Sequence, residues 1–255
     1  MSGLILENVS KRFGGIEAVS KLSIQAPGGR ITGLIGPNGA GKSTVVNLIT
    51  GMFDCTAGRI LFDGRELTAM PPHEVSRVGI SRTFQNIRLL PHETVLHNVL
   101  IGYHRLETAN VLSCLFGLPA ARRSTQAARE AAFVLLRQFG MEGFADRPAG
   151  ALSYGDQRRV EMMRALIARP RLLLLDEPIA GMNEVESERL GEIFHEIARS
   201  GVAVLLIEHD LGFVTRLCEY LYAVDRGTLI AEGSCAAVMA DRNVVTAYLG
   251  EDDDA

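Results

Sequence analysis

The segment Gly36-Pro37-Asn38-Gly39-Ala40-Gly41-Lys42-Ser43 constrains this chain more than any other, because it fits the pattern G-x-x-x-x-G-K-[ST]. Its glycines let main-chain N–H groups close around phosphate oxygens at the start of a helix, and its lysine adds a positive charge. The flanks agree. Ile31-Thr-Gly-Leu-Ile35 reads as a buried strand, and Val45, Val46, Leu48 and Ile49 then repeat at helical spacing. An ordinary glycine turn would need neither the lysine nor this strand and helix. Residues 36–44 are therefore expected to cradle a nucleotide, with Lys42 at its β/γ-phosphates, Ser43 on Mg²⁺ and Thr44 on a neighbouring phosphate oxygen.

A phosphate cradle hydrolyses nothing by itself. The apolar run Leu172-Leu-Leu-Leu-Asp176 ends in the carboxylate pair Asp176-Glu177. Alternation along a strand aims neighbouring side chains apart, one into a metal's ligand shell and the other at an attacking water. Asp176 is the expected Mg²⁺ ligand and Glu177 the expected general base. His209 follows a second apolar run over 202–207, at the carboxyl edge where open α/β sheets bind ligands, and is expected to reach the γ-phosphate. His73, His92, His97, His104 and His195 lack that placement and are read as structural or solvated. Gln85 lies between a β-rich and a helical part of the chain, where its amide would touch both a Mg²⁺-bound water and a moving segment. In Leu152-Ser153-Tyr154-Gly155-Asp156-Gln157, Ser153 reads as an N-cap, with Asp156 three residues on. A serine hydroxyl, the Gly155 backbone and a helix start also suit a second phosphate, one that belongs to another subunit's nucleotide.

The organisation around these residues is that of an α/β protein. Short β-rich runs alternate with the turns Gly14-Gly15, Gly28-Gly29 and Asp63-Gly64 up to about residue 62, which predicts an antiparallel β region. Helical patterns dominate from about 88 to 168. The runs 172–176 and 202–207 predict parallel strands covered on both faces. Between them Asn183 is placed as an N-cap before a helix carrying Leu190, Ile193, Phe194 and Ile197. Asp225-Arg-Gly227 predicts a hairpin turn. The longest apolar run, 201–207, is far short of the roughly 18 to 20 residues that cross a bilayer, and no signal segment is recognised. Lys plus Arg number 26 against 30 Asp plus Glu, so the basic excess of a nucleic-acid coat is missing. Cys55, Cys114, Cys218 and Cys235 are scattered without a C-x-x-C pair and are expected to be reduced thiols.

Phe13, the 36–43 loop, Gln85, the 152–157 segment, the 172–177 run and His209, taken in order, resemble the nucleotide-binding domain of an ABC transporter over nearly the full chain. The resemblance implies an α/β P-loop ATPase with a mixed β core, an N-terminal antiparallel β region and a helical subdomain. It implies one ATPase domain over 1–255: residues 1–87 and 169–250 as catalytic core, 88–168 as helical subdomain with Ser153 and Gly155, and 251–255 as a disordered acidic tail. It further implies a head-to-tail dimer that sandwiches two ATP, each with Mg²⁺. In such a dimer Phe13 stacks on adenine, Gln85 lines the permease interface and also ligates the metal, and His209 senses the γ-phosphate.

Lys11-Arg-Phe-Gly-Gly15, Arg82-Thr-Phe-Gln85 with Arg88-Leu-Leu, Ala180-Gly-Met-Asn183, Glu208-His-Asp210 and Ala247-Tyr-Leu-Gly-Glu251 narrow the resemblance to the ATPase subunits of branched-chain amino acid importers. So does the insert over 104–129. That branch implies a second ATPase subunit, with heterodimer and homodimer both open, two membrane permease subunits and a periplasmic substrate-binding protein. It implies a peripheral position at the cytoplasmic face of the inner membrane, with no nucleic-acid partner. Tyr154 replaces the first glycine of the commoner L-S-G-G-Q segment, Asp156 stands where Gln or Glu is usual, and Asn183 replaces an aspartate. ABC-type ATPases that act on DNA or ribosomes would carry long coiled coils, zinc cysteines or tandem cassettes. A small-molecule kinase would leave Gln85, Ser153 and His209 without a role. ATPases for urea, amides or lipopolysaccharide share most of these motifs and remain the alternative for cargo.

Overall fold

The computed structural model describes residues 3–83, 87–106 and 119–249. Gln85, Cys114, the apolar stretch 111–118 and the acidic tail lie outside them. The chain divides into two compact units, one of Met1–Arg82, Arg171–Pro178 and Phe194–Ala255, the other of Thr83–Pro170 and Ile179–Ile193.

The first unit holds two sheets. Strands β1 (Gly3–Phe13), β2 (Ile16–Pro27), β4 (Ala57–Phe62) and β5 (Arg65–Glu66) form an antiparallel sheet in the order β2-β1-β4-β5. The second sheet has the order β10-β9-β3-β8-β7-β6, built from β3 (Ile31–Ile35), β6 (Ile80–Arg82), β7 (Leu172–Asp176), β8 (Ala203–Ile207), β9 (Tyr220–Asp225) and β10 (Thr228–Gly233). All its pairings are parallel except the hairpin of β9 and β10, which turns at Arg226 and Gly227 as the turn residues predict.

Burial explains the two kinds of strand. β3, β7 and β8 are buried at every position, so an unbroken apolar run is what their place in the sheet requires. Each of Leu172, Leu173, Leu174 and Leu175 is at most 1% exposed and contributes about 2 kcal/mol of transfer free energy. β2 alternates buried and exposed residues in its second half, as a strand with one solvated face does. Helix α1 (Lys42–Ile49) buries Val45, Val46 and Ile49 in the core that also holds Leu6, Ile24 and Phe62 of the antiparallel sheet and Leu174 and Leu205 of the parallel one.

In the second unit α2 has no part, since that short helix (Pro72–Arg77) belongs to the first. The second unit contains α3 (Val95–Ile101), α4 (Pro119–Gln138), α5 (Tyr154–Leu166) and the first turns of α6 (Glu184–Arg199). It thus joins the expected helical segment to the turn that follows Glu177 and Pro178. Among the described residues no helix is long and apolar enough to cross a membrane.

Candidate functional site

The 36–43 loop links the end of β3 to the start of α1. Gly41 is the N-cap of α1 with φ +101°, and a Cβ there would stand 2.5 Å from the Ala18 carbonyl oxygen, so only glycine fits without strain. Gly36, at φ +153°, is equally restricted, because its Cβ would collide with the Val224 carbonyl. Distant residues hold the loop. The Gly36 amide donates to the Tyr248 hydroxyl at 2.9 Å, and the Gly227 amide of the β9–β10 turn donates to the Ala40 carbonyl at 2.9 Å. Lys42 is buried, and its ammonium donates to the carbonyls of Gly36 at 2.5 Å and Pro37 at 2.8 Å. A buried cation resting on two main-chain carbonyls at a helix start is a charge placed to meet an anion. Ser43 is exposed in the first turn and Thr44 half-buried beside it. Asn38 and Gly39 are exposed at the tip, while Pro37 and Ala40 are buried.

Parallel order brings the other chemical groups to the same edge, since β8 lies between β3 and β7. Asp176 ends β7, is 3% exposed, and its Oδ2 lies 3.6 Å from the Arg82 guanidinium. Arg82 also donates to Asn47 Oδ1 of α1 at 2.8 Å, so one side chain ties the carboxylate to the helix that follows the phosphate loop. Glu177 departs from the alternation expected of a strand. Its φ is +48°, and its amide donates to the Ile207 carbonyl at 2.9 Å. The chain has already left the strand at Glu177, and this left-handed turn, not the pleat, directs its side chain.

His209 Nδ1 stands 3.9 Å from Glu177 Oε1 and 3.7 Å from Glu208 Oε2. The His209 ring is largely exposed, whereas Glu208 is buried and its carboxylate accepts the His209 amide at 3.1 Å. Phe13 is 42% exposed and meets Phe53 edge-on, ring centroids 5.2 Å apart, with the Lys11 ammonium 5.0 Å from the Phe13 centroid. Lys11 is itself held by the Asp54 carbonyl at 2.7 Å. Gln85 lies outside the described residues.

Ser153 and Gly155 belong to the second unit, at the start of α5. Ser153 is the N-cap. Its hydroxyl accepts the Asp156 amide at 3.2 Å and donates to Asp156 Oδ2 at 2.7 Å. In the same unit Asn183 caps α6 by accepting the Glu186 amide at 3.0 Å, and Glu186 returns a bond from the Asn183 amide at 3.1 Å. Gly181 has φ +76°, and a Cβ there would lie 2.8 Å from the Tyr154 ring.

Residue reading of the sequence missed Arg82, Tyr248, Gly227 and Phe53 as parts of the site. Arg82 and Tyr248 stand in segments that carry the family resemblance, which was their only signal; Gly227 is legible in the sequence only as part of a hairpin turn, and nothing in local spacing marks Phe53.

Oxygen donors at Ser43 and Asp176, with a buried lysine on a loop that side chains would block, fit a nucleoside triphosphate with a hard divalent cation. A family model described as "ABC transporter" matches residues 19–180. The chain is 41% identical over 254 residues to the high-affinity branched-chain amino acid transport ATP-binding protein BraF of Pseudomonas aeruginosa, covering 98% of this chain and 100% of that one. It is 39% identical to the high-affinity branched-chain amino acid transport ATP-binding protein LivG of Salmonella typhimurium, covering 97% and 98% of the two chains. Among solved structures it is similar to the ADP conformation of MJ1267, an ATP-binding cassette of an ABC transporter, with TM-score 0.85, 36% identity and 98% and 99% coverage.

Proposed function

The chain belongs to the ABC transporter family, and on that premise we propose that it binds and hydrolyses ATP to energise a membrane importer of branched-chain amino acids. The observation that carries this reading is the single sheet edge on which Lys42, Asp176, Glu177 and His209 converge. The cargo follows from relatives that are branched-chain amino acid transport ATP-binding proteins and match nearly end to end.

Each residue takes a part that its surroundings allow. Main-chain amides over 38–41 and the Lys42 ammonium receive the β- and γ-phosphates, and ion-paired bonds to phosphate replace those to the neutral Gly36 and Pro37 carbonyls. Phe13, steadied by Phe53 and Lys11, offers its open surface to adenine. Ser43 and Asp176, with Gln85, would hold Mg²⁺, which when bound would neutralise charge developing on the phosphate oxygens. Glu177 accepts the proton of the attacking water, and His209 hydrogen-bonds the γ-phosphate. Ser153 and Gly155 serve the nucleotide of a second ATPase subunit. Two permease subunits, fed by a periplasmic binding protein, take up the motion at the cytoplasmic face of the membrane, with Gln85 at the contact.

A Glu177→Gln chain is expected to bind ATP with wild-type affinity and to lose about two to three orders of magnitude in turnover. The same substitution in the cell is expected to abolish uptake of labelled leucine. Hydrolysis at the wild-type rate would remove the general base, and normal leucine uptake would remove the cargo.

A further inference from the structure

The start of α5 carries an electrostatic problem. An anion that approaches Ser153 and the Gly155 backbone meets the Asp156 carboxylate, which already holds the Ser153 hydroxyl at 2.7 Å. A carboxylate in the first turn stabilises the helix, yet it opposes the field by which that helix start would attract a phosphate. The neighbouring group that answers this charge is Arg159. Its Nη2 lies 3.0 Å from Asp156 Oδ1 and 3.1 Å from Glu186 Oε1. Glu186 in turn accepts the Asn183 amide through its other oxygen at 3.1 Å. One continuous chain of polar contacts therefore runs from the Ser153 hydroxyl through Asp156, Arg159 and Glu186 to the turn that ends at Asn183. The same turn lies against the Tyr154 ring at Gly181. Every member belongs to the second unit.

We propose that Arg159, whose contacts clamp the 180–183 turn to the start of α5, is a positioning residue that acts on this half-site by screening Asp156 from the phosphate that Ser153 receives. The proposal rests on the reading of Ser153 and Gly155 as the surface offered to a second subunit's nucleotide. Asp156, Glu186 and Arg159 together carry one net negative charge. Replacing the arginine by a neutral residue leaves two, facing a polyanion. Removing the Asp156 charge as well restores the original count without restoring the clamp's geometry, so electrostatic screening and mere structural support are separable.

The test measures kcat and KM for Mg·ATP on the purified full-length chain. Arg159→Gln is expected to lower kcat about tenfold while KM stays within about twofold, because ATP is first bound by residues of the first unit. Adding Asp156→Gln to that variant is expected to return kcat to within about threefold of the wild type. Arg159→Lys, which keeps the charge on a flexible stem, is expected to hold kcat within about threefold, and it decides the matter if Arg159→Gln fails to fold. The proposal is overturned by a kcat within twofold for Arg159→Gln, by no recovery in the double variant, or by a tenfold loss in Arg159→Lys. A Ser153→Arg chain measured alongside separates the two levels. Full activity there sinks the half-site itself, whereas an inactive Ser153→Arg with an active Arg159→Gln sinks only the role of Arg159.

Discussion

Glu177 reaches its place through its own backbone. A φ of +48° at a residue with a long side chain costs on the order of 1 kcal/mol, which the buried strand before it and the amide bond to Ile207 offset. Strain kept at the proposed general base suits a group whose direction matters more than its comfort. Cys218 shows the opposite condition. It is buried beside β3, where a Cβ on Gly33 would stand 3.0 Å from its Sγ, and burial pushes the thiol well above its ordinary value of 9.0, with Cys235 acting in the same direction. A thiol that stays neutral in the folded chain but ionises in the unfolded one favours folding fully below pH 9.0 and loses that contribution as pH rises above it. Between pH 8 and pH 10 the wild type is therefore expected to lose about 1 kcal/mol more stability than a Cys218→Ala chain, read from urea midpoints at the two pH values. Equal losses would mean that the thiol ionises alike in both states.

At the scale of elements, the phosphate loop is shaped by parts of the chain far from it. Its first amide is bonded to Tyr248, on the helix Arg242–Leu249, 212 residues away, and its Ala40 carbonyl to the β9–β10 turn. Both contacts fix main-chain groups of the cradle before any nucleotide arrives, which reduces the ordering cost of binding. Tyr248→Phe keeps the ring and removes only the hydroxyl. It is expected to raise KM for ATP about three- to tenfold, the cost of one hydrogen bond, with kcat unchanged. A wild-type KM would show that the hydroxyl contributes nothing to the loop. The glycine spacing of that loop, the apolar run of β7 and the cap at Ser153 were all legible in the sequence, because each is written in consecutive residues. Tyr248 was not legible from spacing, since a tyrosine near the end of an amphipathic helix reads as packing until the fold brings it to Gly36.

For the whole molecule, the proposed chemistry is divided: the phosphate loop, Asp176, Glu177 and His209 belong to one unit, Ser153, Gly155 and the 180–183 turn to the other. If the second set serves another chain's nucleotide, two different dead chains should repair each other. A Lys42→Ala chain keeps its Ser153 half, and a Ser153→Glu chain keeps its Lys42 half. Mixing them is expected to restore about a quarter of wild-type ATPase activity, since random pairing makes half the dimers mixed and each mixed dimer has one intact site. No recovery on mixing would mean that two copies of this chain do not share a nucleotide between them. Local order by itself determined which residue types stand at strand ends and helix starts, and so which of them carry chemistry, because periodicity, caps and glycine spacing act over a few residues. Only the tertiary structure decided what holds those groups still. Arg82 on Asp176, Tyr248 on Gly36 and Arg159 on Glu186 are contacts whose partners leave no regular spacing in the chain, and their energy exists only once the parallel strand order and the helical unit have brought them together.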